Sequence, residues 1–280
     1  WEHSQAIAQA QGVDAVQVAL RLNPQVTANT HPYISTGHGG AKFGLTGDVI
    51  QDILANQANY PNIKFAGVHL HIGSQLGDQE ATIQAVEKAI ALIEPYPQIR
   101  TINMGGGIPV AYHFDEVIPS IESFAQSLAP LLDGYTVLLE PGRSIIADAG
   151  VLVVDVQYVK QQAGQTFYIT DGSMAELIRP SLYQAHHEVV PLVEAESVVT
   201  AHVVGPVCET ADVLAKDRQL PDLQVGDKLA VMTAGAYGMV MASNYNARLR
   251  PAEVVVSVDG EVWSIARERE TLDDLLRYDR

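Results

Sequence analysis

A change of hydrophobic period near residue 146 constrains this 280-residue chain more than any single motif. Before it, short apolar runs alternate with amphipathic ones. VQVALRL (16–22), FAGVHLHI (65–72), IRTINM (99–104) and YTVLLE (135–140) read as buried strands. Between them, 3–12, 48–59 (with Asp48 as cap), 78–94 (stopped by Pro95) and 115–132 carry helical spacing. The polar and Gly-rich residues follow the C-terminal ends of the strands, where parallel α/β sheets carry their chemistry. After 146 the runs become short and β-branched: VLVVDVQYV, QTFYITDG, HEVVPLV, VVTAHVVG, DKLAVMT, AEVVVSVDG and EVWSIA, closed by the charged helix ETLDDLLRY. The expected fold class is α/β plus β. A partial (β/α)8 TIM-type barrel over 1–146 precedes an antiparallel β domain over 147–280 with a short C-terminal helix.

Composition narrows the function. With 47% apolar and 18% charged residues the chain can bury a core, and no apolar run is long enough to span a membrane. A formal charge of −16 argues against nucleic acid as a partner. WEHSQAIAQAQG has neither the basic start nor the apolar stretch of a signal peptide, and with no initiator Met it reads as the middle of a helix. The chain is therefore expected to begin inside a longer protein. The single cysteine, Cys208, excludes an intrachain disulfide and suits a reducing, cytoplasmic location.

Several segments carry chemistry, each with an ordinary alternative. Met104-Gly105-Gly106-Gly107-Ile108-Pro109 follows a strand and can turn backbone N–H groups toward a phosphate, or simply make a tight turn. It has neither Rossmann nor Walker spacing. In GVHLHIGSQ, His69 and His71 share a strand face. They could hold a metal, sit as satisfied polar groups, or lay one ring on an aromatic cofactor with Ser74 near its phosphate. Glu140, before Pro141-Gly142-Arg143, could be a general acid, a metal ligand or an ion-pair partner of Arg143. Cys208 and Glu209 share a loop, Arg179 and Tyr183 suit a carboxylate, and Tyr237 lies among small residues in TAGAYG. Core packing and surface exposure remain the plain alternatives for these.

The joint order decides. RLNP with HPYISTG and KFG, then GVHLHIGSQ, MGGGIP, EPGRS, DGSMAELIRPSLY, GPVCETAD and AGAYG resemble the motif series of the diaminopimelate decarboxylase family from about Arg21 to Arg250. That family is of the barrel-plus-β-domain class of pyridoxal-phosphate enzymes, and ornithine and arginine decarboxylases share its cofactor motifs. The resemblance implies pyridoxal 5'-phosphate as cofactor. His71 would stack on its ring, and Ser74, Gly106, Gly107 and the Pro141-Gly142-Arg143 backbone would hold its phosphate with Tyr237. Glu140 would face the ring nitrogen and keep it protonated. Arg143, Arg179, Tyr183, Glu209 and Tyr237 would bind meso-diaminopimelate, and Cys208 would donate the proton that completes L-lysine. Cys208 and Glu209 serve the partner subunit in that family, which implies a homodimer with shared active sites.

The family's Schiff-base lysine lies on an early barrel strand, N-terminal of RLNP. Lys42, Lys64, Lys88, Lys160, Lys216 and Lys228 are the only lysines here, and none has a matching context. An N-terminally incomplete decarboxylase, inactive alone, is the expectation. Its rivals are an ornithine- or arginine-type decarboxylase, a metal-dependent barrel hydrolase using His69 and His71, and a non-catalytic relative. No metal is expected.

Overall fold

A computed structural model describes residues 2–26, 42–77, 79–194 and 197–279. The chain forms two compact units, Trp1–Val110 with Val117–Ser144, and Ala111–Glu116 with Ile145–Arg280.

The first unit runs α1 (Glu2–Ala10), β1 (Val16–Arg21), α2 (Gly47–Ala55), β2 (Ile63–His69), α3 (Gln79–Ile93), β3 (Thr101–Asn103), α4 (Ile121–Leu132) and β4 (Thr136–Leu138). Its four strands pair in parallel in chain order, the pattern of a partial (β/α) barrel. Register places Arg21, His69, Asn103 and Leu138 in one row across the C-terminal ends of the strands. That row is the floor on which the candidate site stands.

The helices cover one face because their apolar residues recur at helical spacing. Ile50 and Leu54 of α2, with Val86 and Ala89 of α3, are fully buried and meet Leu20, Val68 and Ile102 from the strands in one core. Each Val, Leu or Ile among them contributes about 1.5–3 kcal/mol relative to exposure. Two helix starts differ from the sequence expectation. Thr46, not Asp48, occupies the N-cap of α2, and Asp48 lies in its first turn. Helix α4 begins at 121 rather than 115, because the Ser120 hydroxyl accepts from Ser123 N–H at 3.1 Å and fixes the cap there.

After α5 (Arg143–Ile146), the second unit comprises β5 (Leu152–Gln162), β6 (Gln165–Thr170), α6 (Arg179–Tyr183), β7 (Val189–Pro191), β8 (Val198–Val204), β9 (Val213–Pro221), β10 (Lys228–Val231), β11 (Glu253–Val256), β12 (Trp263–Arg267) and α7 (Leu272–Leu275). Six strands make one sheet in the order β7-β10-β5-β6-β8-β9, antiparallel except for the parallel β6–β8 pair. Val154, Val156, Tyr168, Leu220, Leu229 and Val231 supply its core. The Tyr168 hydroxyl is not stranded there, since it donates to the Pro221 carbonyl at 2.7 Å and accepts from Leu223 N–H. β11 and β12 form a separate hairpin. No helix among the described residues is long and apolar enough to cross a membrane.

Candidate active site

In the first unit the site is built around a glycine turn. Gly105 and Gly107 adopt φ of +69° and +109°, a region costly for other residues. Space excludes a side chain as firmly as conformation does. A Cβ on Gly105 would stand 2.3 Å from the Leu70 carbonyl oxygen, and one on Gly106 2.5 Å from that of Glu140. One on Gly107 would meet the Gly73 carbonyl oxygen at 2.5 Å. The turn thus presses the end of β3 against the segments that follow β2 and β4. Gly142 differs, since nothing lies within 4 Å of its Cβ position.

This close approach orients two rings and two charges. Gly106 N–H donates to His71 Nδ1 at 3.2 Å, so a neutral His71 carries its proton on Nε2. Burial, then the nearby charge of Arg21 and the His69 ring, holds His71 below the ordinary histidine range. His69 is lowered too, first by burial, with Glu140 opposing. Its Nε2 lies 3.5 Å from Glu140 Oε1. Asn103 Nδ2 donates to that same oxygen at 2.9 Å, while Asn103 Oδ1 accepts from Gly105 N–H at 2.9 Å. One amide therefore ties the glycine turn to the carboxylate. Buried Arg143 donates from Nη2 to the Ser74 hydroxyl at 2.8 Å and from Nε at 3.3 Å. Gln75, at φ 59°, closes the rim by exchanging two hydrogen bonds with the Val110 backbone.

The extended segment that leaves β2 keeps the alternation, with Leu70 and Ile72 buried and His69 and His71 only partly so. Leu70 and Ile72 line a mainly apolar cavity of about 430 Å³ with Phe124, Leu128 and Val137. That space belongs to the packing of helices on the sheet, not to the histidine face.

The second unit assembles another group of the expected residues. Arg179 is buried at the start of α6, with its Nη1 on His187 Nε2 at 2.8 Å and its guanidinium carbon 4.5 Å from the centre of the Tyr112 ring. His187 Nδ1 donates to the Met232 carbonyl at 2.8 Å, which leaves Nε2 as the acceptor that a guanidinium needs. Tyr112 packs edge-on against the same imidazole. Tyr183, one turn along α6, is half-buried.

Cys208 is exposed, with Asn246 Nδ2 3.5 Å from its Sγ. Glu209 accepts a short hydrogen bond from the Tyr245 hydroxyl, which pushes the phenol above its ordinary range. Beneath this loop, buried Asp212 accepts from Met174 N–H at 2.6 Å and from Val207 N–H at 2.7 Å. Burial raises the Asp212 carboxyl despite those bonds. A Cβ on Gly205 would stand 2.3 Å from Asp212 Oδ2. Tyr237 has φ of 62° beside Gly238, whose Cβ position lies 2.4 Å from the Ala234 carbonyl oxygen.

Of the expected residues, His71, Ser74, Gly106, Gly107, Glu140, Pro141, Gly142 and Arg143 thus belong to the first unit, and Arg179, Tyr183, Cys208, Glu209 and Tyr237 to the second. HPYISTG (31–37) lies outside the described residues. Sequence reasoning missed Asn103, His187, Tyr112, Asp212, Tyr245 and Asn246. Asn103 alone had a usable signal, as the polar end of a short apolar strand beside the glycines. Among the described residues, a cluster with metal-ligand spacing occurs at His113, His186 and Glu188, not at His69 and His71.

Residues 26–235 match the family model described as the C-terminal sheet domain of pyridoxal-dependent decarboxylases. The diaminopimelate decarboxylase of Aquifex aeolicus is 41% identical over 264 residues, and that of Pseudomonas aeruginosa 44% over 281. This chain belongs to the diaminopimelate decarboxylase family. These alignments cover 92% and 98% of the chain but 62% and 66% of the relatives' length. The crystal structure of the family's Helicobacter pylori member, complexed with L-lysine, superposes with a TM-score of 0.90 at 38% identity. It covers 98% of this chain, which spans 69% of that one. The partial barrel with its β domain is therefore the family fold, and pyridoxal phosphate is the family's cofactor. The first unit suits such a group. Its glycine turn has no room for side chains, its two histidines are held neutral, and a carboxylate and a guanidinium stand beside them.

Proposed function

We propose that the protein in which this chain functions decarboxylates meso-2,6-diaminopimelate to L-lysine. The observation that carries the reading is Asn103 joining the Glu140 carboxylate to the glycine turn that also holds His71. Bound pyridoxal phosphate supplies an electron sink for the charge left when CO₂ departs. Glu140 holds the proton on the ring nitrogen, on which that sink depends. Neutral His71 offers a flat face to the ring, and Ser74, Gly106, Gly107 and the Pro141-Gly142-Arg143 backbone bind the phosphate with Tyr237. Arg179 and Arg143 take substrate carboxylates, helped by Tyr183 and Tyr237, and Glu209 takes the distal amine. Cys208 delivers a proton to the substrate α-carbon.

A cytoplasmic homodimer with shared active sites is part of this reading. The exposed thiol of Cys208 supports it, as does the exposed apolar hairpin carrying Val254, Val256 and Trp263. The domain division proposed is a cofactor-binding barrel portion over 1–146 and a β domain over 147–280.

The test uses the full-length gene product, with the cofactor followed by its absorbance. CO₂ and lysine are assayed with meso-diaminopimelate, and ornithine and arginine serve as rival substrates. Lysine formation with cofactor bound supports the proposal. Turnover of ornithine or arginine instead would reassign the substrate, and cofactor binding without turnover of any would indicate a non-catalytic relative.

A further inference from the structure

Arg218 on β9 is a half-buried cation with no ion-pair partner among the described residues. Its Nη2 donates to His186 Nδ1 at 2.7 Å and to the His187 carbonyl at 3.0 Å. Its Nε is buried with no hydrogen-bond partner among the described residues. No carboxylate oxygen among them lies within 4.0 Å of the guanidinium. Burial pulls its pKa below the ordinary arginine value, and Glu188 opposes this from beyond ion-pair distance. Arginine cannot shed its proton near neutrality, so a half-buried guanidinium of this kind calls for a counter-charge.

The same side chain lines a cavity of about 520 Å³ with Ser181, Gln184, His186 and Lys216. A second cation is thus on the wall, and among the described residues no Asp or Glu lines it. The cavity takes Pro180 and Ser181 from α6 and Gln184 from its C-cap, but neither Arg179 nor Tyr183 lines it.

A metal at His113, His186 and Glu188 is the competing use of this region, since their ligand atoms lie within 4.8 Å of one another. The arginine argues against it. A guanidinium only donates, so His186 Nδ1 accepts, and the neutral ring keeps its proton on Nε2. That is the atom facing Glu188 at 3.2 Å. The His113 and His186 rings also stack at 3.4 Å and 22°, which keeps their in-plane lone pairs in two nearly parallel planes.

We propose that this cavity binds a small oxyanion, a carboxylate or phosphate group, through Arg218 and Lys216. Binding is tested on the full-length gene product by calorimetry and melting temperature. Inorganic phosphate and succinate are titrated separately, with ionic strength held constant by sodium chloride. Saturable binding of at least one, with a raised melting temperature, is expected, and the anion that binds identifies the group. Arg218→Gln should weaken binding by about tenfold or more, the loss of a charge-assisted hydrogen bond. Lys216→Met, at an exposed position, should weaken it a few-fold and keeps the test open if Arg218→Gln fails to fold. Absence of saturable binding for both anions overturns the proposal, as does binding unchanged by both substitutions. Zinc chloride binding lost in His113→Ala, with both anions inert, would overturn it in favour of the metal.

Discussion

The first unit builds its part of the candidate site from backbone, whereas the second builds from side chains. Around Gly105-Gly106-Gly107, main-chain atoms approach within 2.5 Å of where a Cβ would stand, and Gly106 N–H itself fixes the His71 tautomer. Around Arg179, orientation comes from a relay of Met232 carbonyl, His187 and guanidinium. A site of the first kind fails by steric exclusion, all at once. One of the second kind fails in proportion to the charge or hydrogen bond removed, so graded substitutions can tell them apart.

The largest effect should come from Gly106→Ala. Its methyl would need to move the Glu140 backbone, and with it the carboxylate. Overpacking of this sort costs about 1–3 kcal/mol, and misplacing Glu140 and His71 together should reduce cofactor affinity on the order of a hundredfold. Gly77→Ala is the control, because its Cβ position is open and it is none of the site residues, and it should retain both stability and cofactor binding. Cofactor titration and urea unfolding of the two variants measure the contrast. Equal behaviour would show that the glycine turn does not depend on backbone proximity.

Next in size is Arg179→Lys. The charge survives, but a point ammonium cannot span His187 Nε2 and the Tyr112 ring as the guanidinium does. The expected result is kcat/KM for diaminopimelate lowered about 30- to 300-fold, carried mostly by KM, with cofactor binding unchanged. A matching loss of cofactor affinity would contradict the assignment of this relay to substrate alone.

How much of this was legible in sequence follows the same division. Glycines, the alternating histidines and the strand-end Glu140 declare themselves through backbone rules, so the first unit could be placed strand by strand. The side-chain relays could not, because Tyr112 lies 67 residues before Arg179 and Met232 lies 45 residues after His187, and they meet only through folding. Strand β9 was overlooked for a related reason. Lys216, Asp217 and Arg218 interrupt its apolar pattern, and only its Leu214, Ala215 and Leu220 positions face the core. Helix α6 escaped notice because five residues beginning Arg179-Pro180 carry too little periodicity.

Histidine titration offers a smaller, continuous comparison. His71 in the first unit and His186 in the second are both held below the ordinary value near 6.5, each mainly by burial. A lowered folded pKa means that the unfolded chain takes up protons first. Each histidine's stabilising contribution is therefore complete above about pH 6.5 and is lost as pH falls through the folded value. His69 adds in the same direction in the first unit. Urea unfolding between pH 7.5 and 5 should show declining stability. His71→Asn and His186→Asn should each flatten the slope, by separate and additive amounts. A slope that neither substitution alters would place the acid sensitivity elsewhere.

The smallest effect should be that of Tyr245→Phe. The phenol donates to Glu209 at an exposed position, so its loss should leave unfolding unchanged within error. Its effect should fall on substrate selection, because a Glu209 freed from that hydrogen bond samples more orientations before meeting the distal amine. KM for diaminopimelate should rise a few-fold while kcat holds, and discrimination against substrates lacking the distal amine should weaken. A fall in kcat with unchanged KM would instead implicate the neighbouring Cys208 loop, which Asn246 touches and Asp212 supports from below. Asp212→Asn would then separate the two possibilities. It replaces one acceptor oxygen with a donor facing a backbone N–H, loosening the loop without touching Glu209 or the phenol.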